Sequence, residues 1–183
     1  NALLGEDCLS TIACMRVLGA DIRTEGGTVY VTGTKKFRDA ECDCGNSGTT
    51  MRLLMGLTAG RNINVKFTGD ASLSKRPMER VAAPLRLLGA DVQTTNGTAP
   101  VYVRRSVLKG CEVDTKVASA QVKSALILAA LGADGKTTVC EPLKSRDHTE
   151  RMLAAMGADI HTEGNRVTVG KSDCLLYTSD AAD

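Results

Sequence analysis

The sequence is poor in aromatic residues, with no tryptophan, three tyrosines and two phenylalanines. A hydrophobic core must therefore consist of leucine, valine, isoleucine, alanine and methionine. Neither sign of charge dominates, because 23 lysines and arginines are balanced by 21 acidic residues, without a basic block. This balance argues against a nucleic-acid or membrane surface. No apolar run approaches the roughly 20 residues of a membrane span and no secretory leader is recognisable, so we expect a cytoplasmic protein.

A disulfide framework is also missing. The seven cysteines are odd in number and irregular in spacing, which favours free thiols in a reducing cytosol. Cys42 and Cys44 would need His148 or His161 to complete a metal site. Their one-residue spacing is shorter than the roughly two to four residues usual between zinc ligands. We therefore predict neither a metal nor a cofactor.

The sequence does contain a phrase that occurs three times. The copies lie at residues 18–22, 88–92 and 156–160, at intervals of 70 and 68 residues. A helical pattern precedes the glycine of each copy, and a glycine-containing turn between β-branched residues follows it. This pattern predicts a helix, a left-handed glycine cap and a β-hairpin in each of three units.

Each unit also contains helices of two kinds. Residues 49–59 and 121–131 are apolar almost all round, whereas the helices before the repeated glycine are amphipathic, as in Val81, Leu85 and Leu88. A helix that is apolar all round needs cover on every side. We therefore predict a mixed α/β (α+β) domain with pseudo-threefold symmetry, buried central helices and outer sheets.

The two ends of the sequence depart from the repeat. The first unit lacks an opening strand and a buried helix, and the first residue is Asn1 rather than methionine. Residues 172–183 do not continue the pattern and look like a non-native tail of translated adapter sequence. We therefore expect residues 1–171 to form part of one domain of a longer protein. A longer read that encodes the tail in frame would contradict this interpretation of it.

Four polar motifs stand immediately before predicted helices. A helix start carries unpaired N–H groups and partial positive charge, so it favours anions. Four such starts within one repeat scheme indicate a shared face that binds a polyanionic small molecule. The motifs are residues 45–50, 72–77, 118–121 and 145–148.

Each motif also has a plainer interpretation. The turn around Gly48 is as consistent with a simple helix cap as with an anion-binding loop. For Ser119 the plainer interpretation is that it merely caps the helix. Burial of Gln121 and Lys123, however, would require a partner for each side chain.

Basic residues precede the two surface helices. Lys75 and Arg76 oppose the helix dipole unless they face a bound anion, with Pro77 near the first helical position. The alternative is a solvated basic pair. Arg146 occupies the corresponding place in the third unit, and His148 is interpreted as an ordinary surface or capping residue.

At these motifs the chain resembles the 5-enolpyruvylshikimate-3-phosphate synthase family. The likeness extends from about residue 4 to residue 171, and its motifs match at residues 45–52, 73–78, 118–125 and 145–150. The resemblance implies two domains, each of three βαβαββ units around buried helices, with substrates in the cleft between them. It also implies a protein that is monomeric when complete.

The resemblance implies transfer of the enolpyruvyl group of phosphoenolpyruvate to the 5-hydroxyl of shikimate 3-phosphate. Phosphate is released, and the pathway continues to chorismate and the aromatic amino acids. The implied phosphoenolpyruvate site consists of Asn46, Gly48, Thr49, Arg76 and Gln121. The implied shikimate 3-phosphate site consists of Ser119, Ala120, Gln121 and Arg146. In this family the herbicide glyphosate occupies the phosphoenolpyruvate site, and Gly48 would leave room for it.

No catalytic residue is assigned within the chain. The family's Asp-Lys-Ser segment near the N-terminus is absent here, and so is a second domain with the groups that handle protons. We therefore expect the chain alone to be inactive.

Three other functions compete with this interpretation. The sister family of UDP-N-acetylglucosamine enolpyruvyl transferases carries a reactive cysteine six residues before the proline, where this chain has Ala71. A non-catalytic anion-binding module fits the length of a single domain but not the incomplete first unit. RNA 3′-phosphate cyclases share related architecture, but they would require a basic, base-stacking surface.

Overall fold

The repeat in the sequence corresponds to a fixed order of helices and strands in the computed structural model, which describes residues 2–34 and 36–172. The first unit contains α1 (Glu6–Leu18), β1 (Asp21–Glu25) and β2 (Thr28–Thr32). The second contains β3 (Ala40–Asp43), α2 (Gly48–Ala59), β4 (Val65–Thr68), α3 (Glu79–Leu87), β5 (Asp91–Thr95) and β6 (Thr98–Arg104). The third contains β7 (Glu112–Asp114), α4 (Ala120–Ala130), β8 (Thr137–Cys140), α5 (His148–Ala155), β9 (Ile160–Glu163) and β10 (Arg166–Val169). Of the tail predicted at residues 172–183, all but Ser172 lies outside the described residues.

The second and third units form equivalent four-stranded sheets. Their strand orders are β3-β4-β6-β5 and β7-β8-β10-β9, and in each the first pair is parallel and the other two pairs are antiparallel. Residues in β4 alternate between buried Val65 and Phe67 and partly exposed Lys66 and Thr68, so one sheet face covers the core. β1 and β2 form a two-stranded hairpin. These orders confirm the predicted α/β class and the βαβαββ repeat.

The two apolar helices lie against each other at the centre of the domain. Gly56 of α2 approaches Ala125 of α4 so closely that an added Cβ would lie 2.0 Å from the Ala125 carbonyl oxygen. A Cβ on Gly132 would lie 1.9 Å from the Gly60 carbonyl oxygen. The chain segments therefore meet backbone to backbone along this contact, which requires a glycine on at least one side.

The amphipathic helices cover this centre as predicted. Val81, Leu85 and Leu88 are all buried in the core around α3. The repeated glycine after each such helix has a positive φ, which is 119° at Gly19 and 92° at Gly89. The predicted left-handed turn into each hairpin is thus present.

The start of α3 differs from the prediction. The helix begins at Glu79 with Met78 as its cap residue, so Pro77 lies near the first helical position, two residues before it. Residues Leu73–Lys75 form a short 3₁₀ turn instead. Arg76 therefore follows this turn and does not sit at the helix terminus.

Three buried cysteines lie between α1 and β3. Cys42 and Cys44 face Cys14 rather than a histidine. The Sγ atoms of Cys14 and Cys44 are 4.0 Å apart. Each of the six cysteines among the described residues is a free thiol. Within residues 2–34 and 36–172, none of the helices has the length and apolar character that crossing a membrane requires.

Candidate functional site

The loop before α2 fixes the side chain of Arg76. Asn46 accepts a hydrogen bond from Arg76 Nη2 through its Oδ1, and its Nδ2 donates to Asp70 Oδ2 at 2.6 Å. The backbone N–H of Asp70 donates to the Gly45 carbonyl oxygen at 2.9 Å. Hydrogen bonds from the Leu73 N–H and from Asn46 lower the pKa of Asp70. The hydrogen bonds that join Asp70, Asn46 and Arg76 therefore hold the Arg76 guanidinium group beside the start of α2.

Arg52 is a site residue that the sequence-based assignment missed. It is 8% exposed, and its Nη1 donates to Gln121 Oε1 at 2.8 Å, while its Nη2 donates to the Pro77 carbonyl oxygen at 3.4 Å. Its Nε has no hydrogen-bond partner within the described residues. Burial lowers the pKa of Arg52, and the positive charges of Arg80 and Arg76 lower it further. A buried, under-satisfied guanidinium of this kind favours a bound anion.

The positive charge around Gly48 is not neutralised by the protein. Across the part of the chain that the structure describes, no carboxylate forms an ion pair with Arg52, Arg76 or Arg80. A Cβ on Gly48 would lie 3.0 Å from Arg52 Nη1 and 3.2 Å from Arg76 Nη1. Gly48 thus leaves both guanidinium groups close to the backbone at the positive end of α2.

Gln121 connects the N-termini of the two buried helices. Its Oε1 accepts from Arg52, and its Nε2 donates to Thr49 Oγ1 at 2.8 Å. Ser47 caps α2 through the Thr50 N–H at 3.2 Å, and Ser119 caps α4 through the Val122 N–H at 3.5 Å. Two helix starts, each with partial positive charge, therefore open at the same place.

A cavity of about 290 Å³ lies where the starts of α2, α4 and α5 meet. Its lining includes Thr49, Ala120, Gln121, Arg146 and His148, from all three helix starts. Four predicted site residues are thus brought together around one space, and the predicted residue Ser119 lies beside it at the α4 cap. Asn46, Gly48 and Arg76 do not line this cavity, but Arg52 and Gln121 connect them to it.

Three larger cavities lie elsewhere in the described part of the chain. One of about 650 Å³ follows β3, β4 and β6 near Asp39 and Arg104, one of about 380 Å³ lies between α3 and the segment before α4, and one of about 370 Å³ lies against the β1–β2 hairpin. None of the three contains a predicted site residue. The smallest of these cavities is the candidate site because three helix starts open onto it and because Gln121, which lines it, accepts a hydrogen bond from the buried Arg52.

The partners of Lys123 are within the protein. The sequence indicated that Lys123, if buried, requires a partner, and its Nζ lies 2.9 Å from Glu141 Oε2 and 2.7 Å from Glu150 Oε1. Both carboxylates are almost fully buried. Lys123 therefore points beneath the cavity wall and is not one of its lining residues.

Comparisons with known proteins agree with one another. A sequence profile of the family described as EPSP synthase (3-phosphoshikimate 1-carboxyvinyltransferase) matches residues 1–174. The 3-phosphoshikimate 1-carboxyvinyltransferase of Synechococcus sp. (strain WH7803) is 54% identical over 171 residues, which are 88% of this chain and 39% of that protein. Its counterpart in Thermoanaerobacter sp. (strain X514) is 47% identical over 172 residues, covering 92% of this chain and 41% of the relative.

A solved structure gives the same likeness. The EPSP synthase of Acinetobacter baumannii superposes with a TM-score of 0.90 at 46% identity, over 95% of this chain and 41% of that one. The chain therefore spans about two fifths of the length of the relatives that it matches.

Proposed function

Because the chain belongs to the EPSP synthase family, we propose that the whole protein transfers the enolpyruvyl group of phosphoenolpyruvate to the 5-hydroxyl of shikimate 3-phosphate. The observation that supports this most directly is the uncompensated pair Arg52 and Arg76 against Gly48, beside a cavity ringed by three helix starts. The two substrates carry two phosphates and two carboxylates. Their mutual repulsion must be neutralised before the reacting atoms can approach.

The two anion-binding regions suggest that each binds a different substrate. We assign phosphoenolpyruvate to the region of Asn46, Gly48, Thr49 and Arg76, where the guanidinium group is held by Asn46. We assign shikimate 3-phosphate to the cavity, with Ser119, Ala120 and Arg146 around it. Gln121 lies between the two regions and contacts both Thr49 and Arg52, so it is placed to touch both substrates.

The residues assigned here bind the two substrates and orient them. In the reaction the 5-hydroxyl oxygen adds to the central carbon of phosphoenolpyruvate, its proton leaves, and the methylene carbon gains a proton. Loss of that methyl proton and of phosphate then restores the double bond. Positioned cations hold the phosphate that departs, whereas no residue of this chain is assigned a proton transfer. We propose that residues 1–171 are a partial substrate-binding domain.

The decisive experiment is turnover by the whole protein. With both substrates present, we expect release of one phosphate for each molecule of enolpyruvyl product identified by mass spectrometry. Enolpyruvyl transfer to UDP-N-acetylglucosamine in place of shikimate 3-phosphate would overturn the assignment in favour of the sister family. Tight binding of both substrates without any product would support a non-catalytic anion-binding module instead.

The chain of residues 1–183 alone should show no transferase activity. Only one side of the proposed cleft is present in it, and no proton-handling group is assigned to it. Phosphate release from both substrates should equal that of a substrate-free control. Turnover above that control would contradict this expectation, and activity of the whole protein in the same assay shows that the assay works.

Gly48→Ala in the whole protein should raise the KM for phosphoenolpyruvate about tenfold, which corresponds to about 1.4 kcal/mol. The new methyl group would press on the guanidinium groups of Arg52 and Arg76, at 3.0 and 3.2 Å. The KM for shikimate 3-phosphate should change less than about threefold, and inhibition by glyphosate should weaken. Gly33→Ala is the control, because among the described residues, its two chain neighbours apart, no atom lies within 4 Å of a Cβ at that position. Unchanged phosphoenolpyruvate and glyphosate affinities would refute the steric explanation.

Free thiols at the six described cysteines fit a reducing, cytoplasmic compartment. We propose a monomer that acts on small molecules and requires neither a metal, a cofactor, a nucleic acid nor a membrane.

A further inference from the structure

A buried cluster of three charges lies beneath the cavity. Lys123, Glu141 and Glu150 are 1%, 3% and 4% exposed, and the lysine Nζ contacts both carboxylates. Two carboxylates against one ammonium leave one excess negative charge, and Glu150 Oε2 has no hydrogen-bond partner among the described residues. Burying charge is costly, and an apolar cluster of similar size would often be equally stable. Stability alone therefore does not explain why these three charges are buried.

The cluster grips the backbone immediately before Arg146. Glu141 Oε2 accepts a hydrogen bond from the Ser145 N–H at 3.3 Å, and Lys123 Nζ approaches the Ser145 carbonyl oxygen at 3.5 Å. Both peptide groups that flank Ser145 are thus held by the same pair of side chains. The carbonyl of Ser145 belongs to the peptide bond that leads into Arg146, so the lysine acts on the direction in which Arg146 leaves the backbone.

Arg146 itself is not held by a carboxylate. It is exposed, it lies before the first turn of α5, and among the described residues it takes part in no ion pair. Residues 141–147 have no regular secondary structure. An exposed arginine on such a segment binds an anion weakly unless its backbone is fixed beforehand.

We propose that Lys123 is a positioning residue for the phosphate of shikimate 3-phosphate, acting through the backbone of Ser145 on Arg146. The inference rests on the proposed function, since it takes shikimate 3-phosphate as the ligand of Arg146. Lys123 lies in α4, two residues after Gln121. The first turn of α4 therefore carries both Gln121, which lines the cavity, and Lys123, which holds the loop before Arg146. The effect of removing the lysine should fall on one substrate, because Gly48 and Arg76 lie on other segments.

The test uses two variants of the whole protein. Lys123→Met removes the ammonium group and leaves two facing buried carboxylates, which threatens folding. The combined variant Lys123→Met, Glu141→Gln and Glu150→Gln removes all three charges and keeps an acceptor for the Ser145 N–H. In that folded variant the KM for shikimate 3-phosphate should rise about tenfold, while the KM for phosphoenolpyruvate and kcat change less than about threefold. Lys136→Met is the matched control, because this lysine pairs with Asp159 at the exposed surface.

The outcomes separate this inference from the proposed function. An unchanged KM for shikimate 3-phosphate, or an equal rise in both KM values, would overturn the positioning role. Absence of turnover by the unsubstituted protein would overturn the proposed function instead. In that case calorimetric titration with inorganic phosphate decides the positioning role, since binding about tenfold weaker in the triple variant supports it. Equal phosphate affinities, or no phosphate binding by the unsubstituted protein, would contradict it.

Discussion

Gly56→Ala should destabilise the whole protein by more than about 3 kcal/mol and lower its Tm by about 10 °C, although alanine is the better helix former. In an open helix this substitution gains about 0.5–1 kcal/mol. Here the new Cβ would lie 2.0 Å from the Ala125 carbonyl oxygen and 2.8 Å from its Cα, so α2 and α4 must separate. No side-chain rotation relieves a clash between a Cβ and a backbone. The loss is a large share of the roughly 5–15 kcal/mol that keeps a domain folded.

Thermal unfolding followed by circular dichroism measures the effect. Gly33→Ala tests whether any glycine-to-alanine change in this chain is harmful, and it should stay within about 0.5 kcal/mol because its surroundings are open. An unchanged or higher Tm for Gly56→Ala would mean that the two buried helices do not meet backbone to backbone.

Arg76→Ala should reduce kcat/KM for phosphoenolpyruvate by a factor of several hundred. Truncating one partner of a desolvated, charge-assisted contact costs about 2–5 kcal/mol. The guanidinium group is already held by Asn46 and forms no ion pair with a carboxylate in the described ranges 2–34 and 36–172, so its charge is available to the substrate. Binding of shikimate 3-phosphate should change little, because Arg146 and the start of α4 remain.

Two further variants sharpen this result. Arg76→Lys keeps the charge but not the planar donor pair, so we expect an intermediate loss of about ten- to one-hundredfold. Arg23→Ala removes an exposed arginine in the first hairpin, 3.2 Å from Asp21, and should leave both KM values unchanged. Steady-state kinetics with each substrate varied in turn distinguishes the cases. Equal loss of affinity for both substrates would show that Arg76 does not act on phosphoenolpyruvate selectively.

The sequence predicted the features that arise from local patterns. The hairpins, the left-handed glycines and the two kinds of helix follow from hydrophobic periodicity and turn chemistry within about 20 residues of each other. The placement of Lys75 and Arg76 at a helix start was wrong because a 3₁₀ turn and a helix start share the same short signals.

The parts of the site that were missed depend on contacts across the sequence. Arg52 meets Gln121, which is 69 positions away, only because α2 and α4 pack against each other. A single arginine within an apolar helix was the available signal, since such a residue needs a polar partner. The partners of Lys123 likewise come from two later segments, β8–α5 and α5 itself, which no periodicity relates to it.

The backbone contact between α2 and α4 has a consequence for how the repeats relate to one another. In a solenoid each repeat contacts its neighbours through a replaceable surface, so units can be added or removed. Here the central helix of one unit buries the apolar surface of the central helix of the next, and Gly60 and Gly132 meet without any side chain between them. A single unit of about 70 residues would therefore expose an apolar helix to water and aggregate. We therefore expect the repeats to unfold in one cooperative event, and we expect that cutting the chain near Gly110 would not yield two smaller folded proteins.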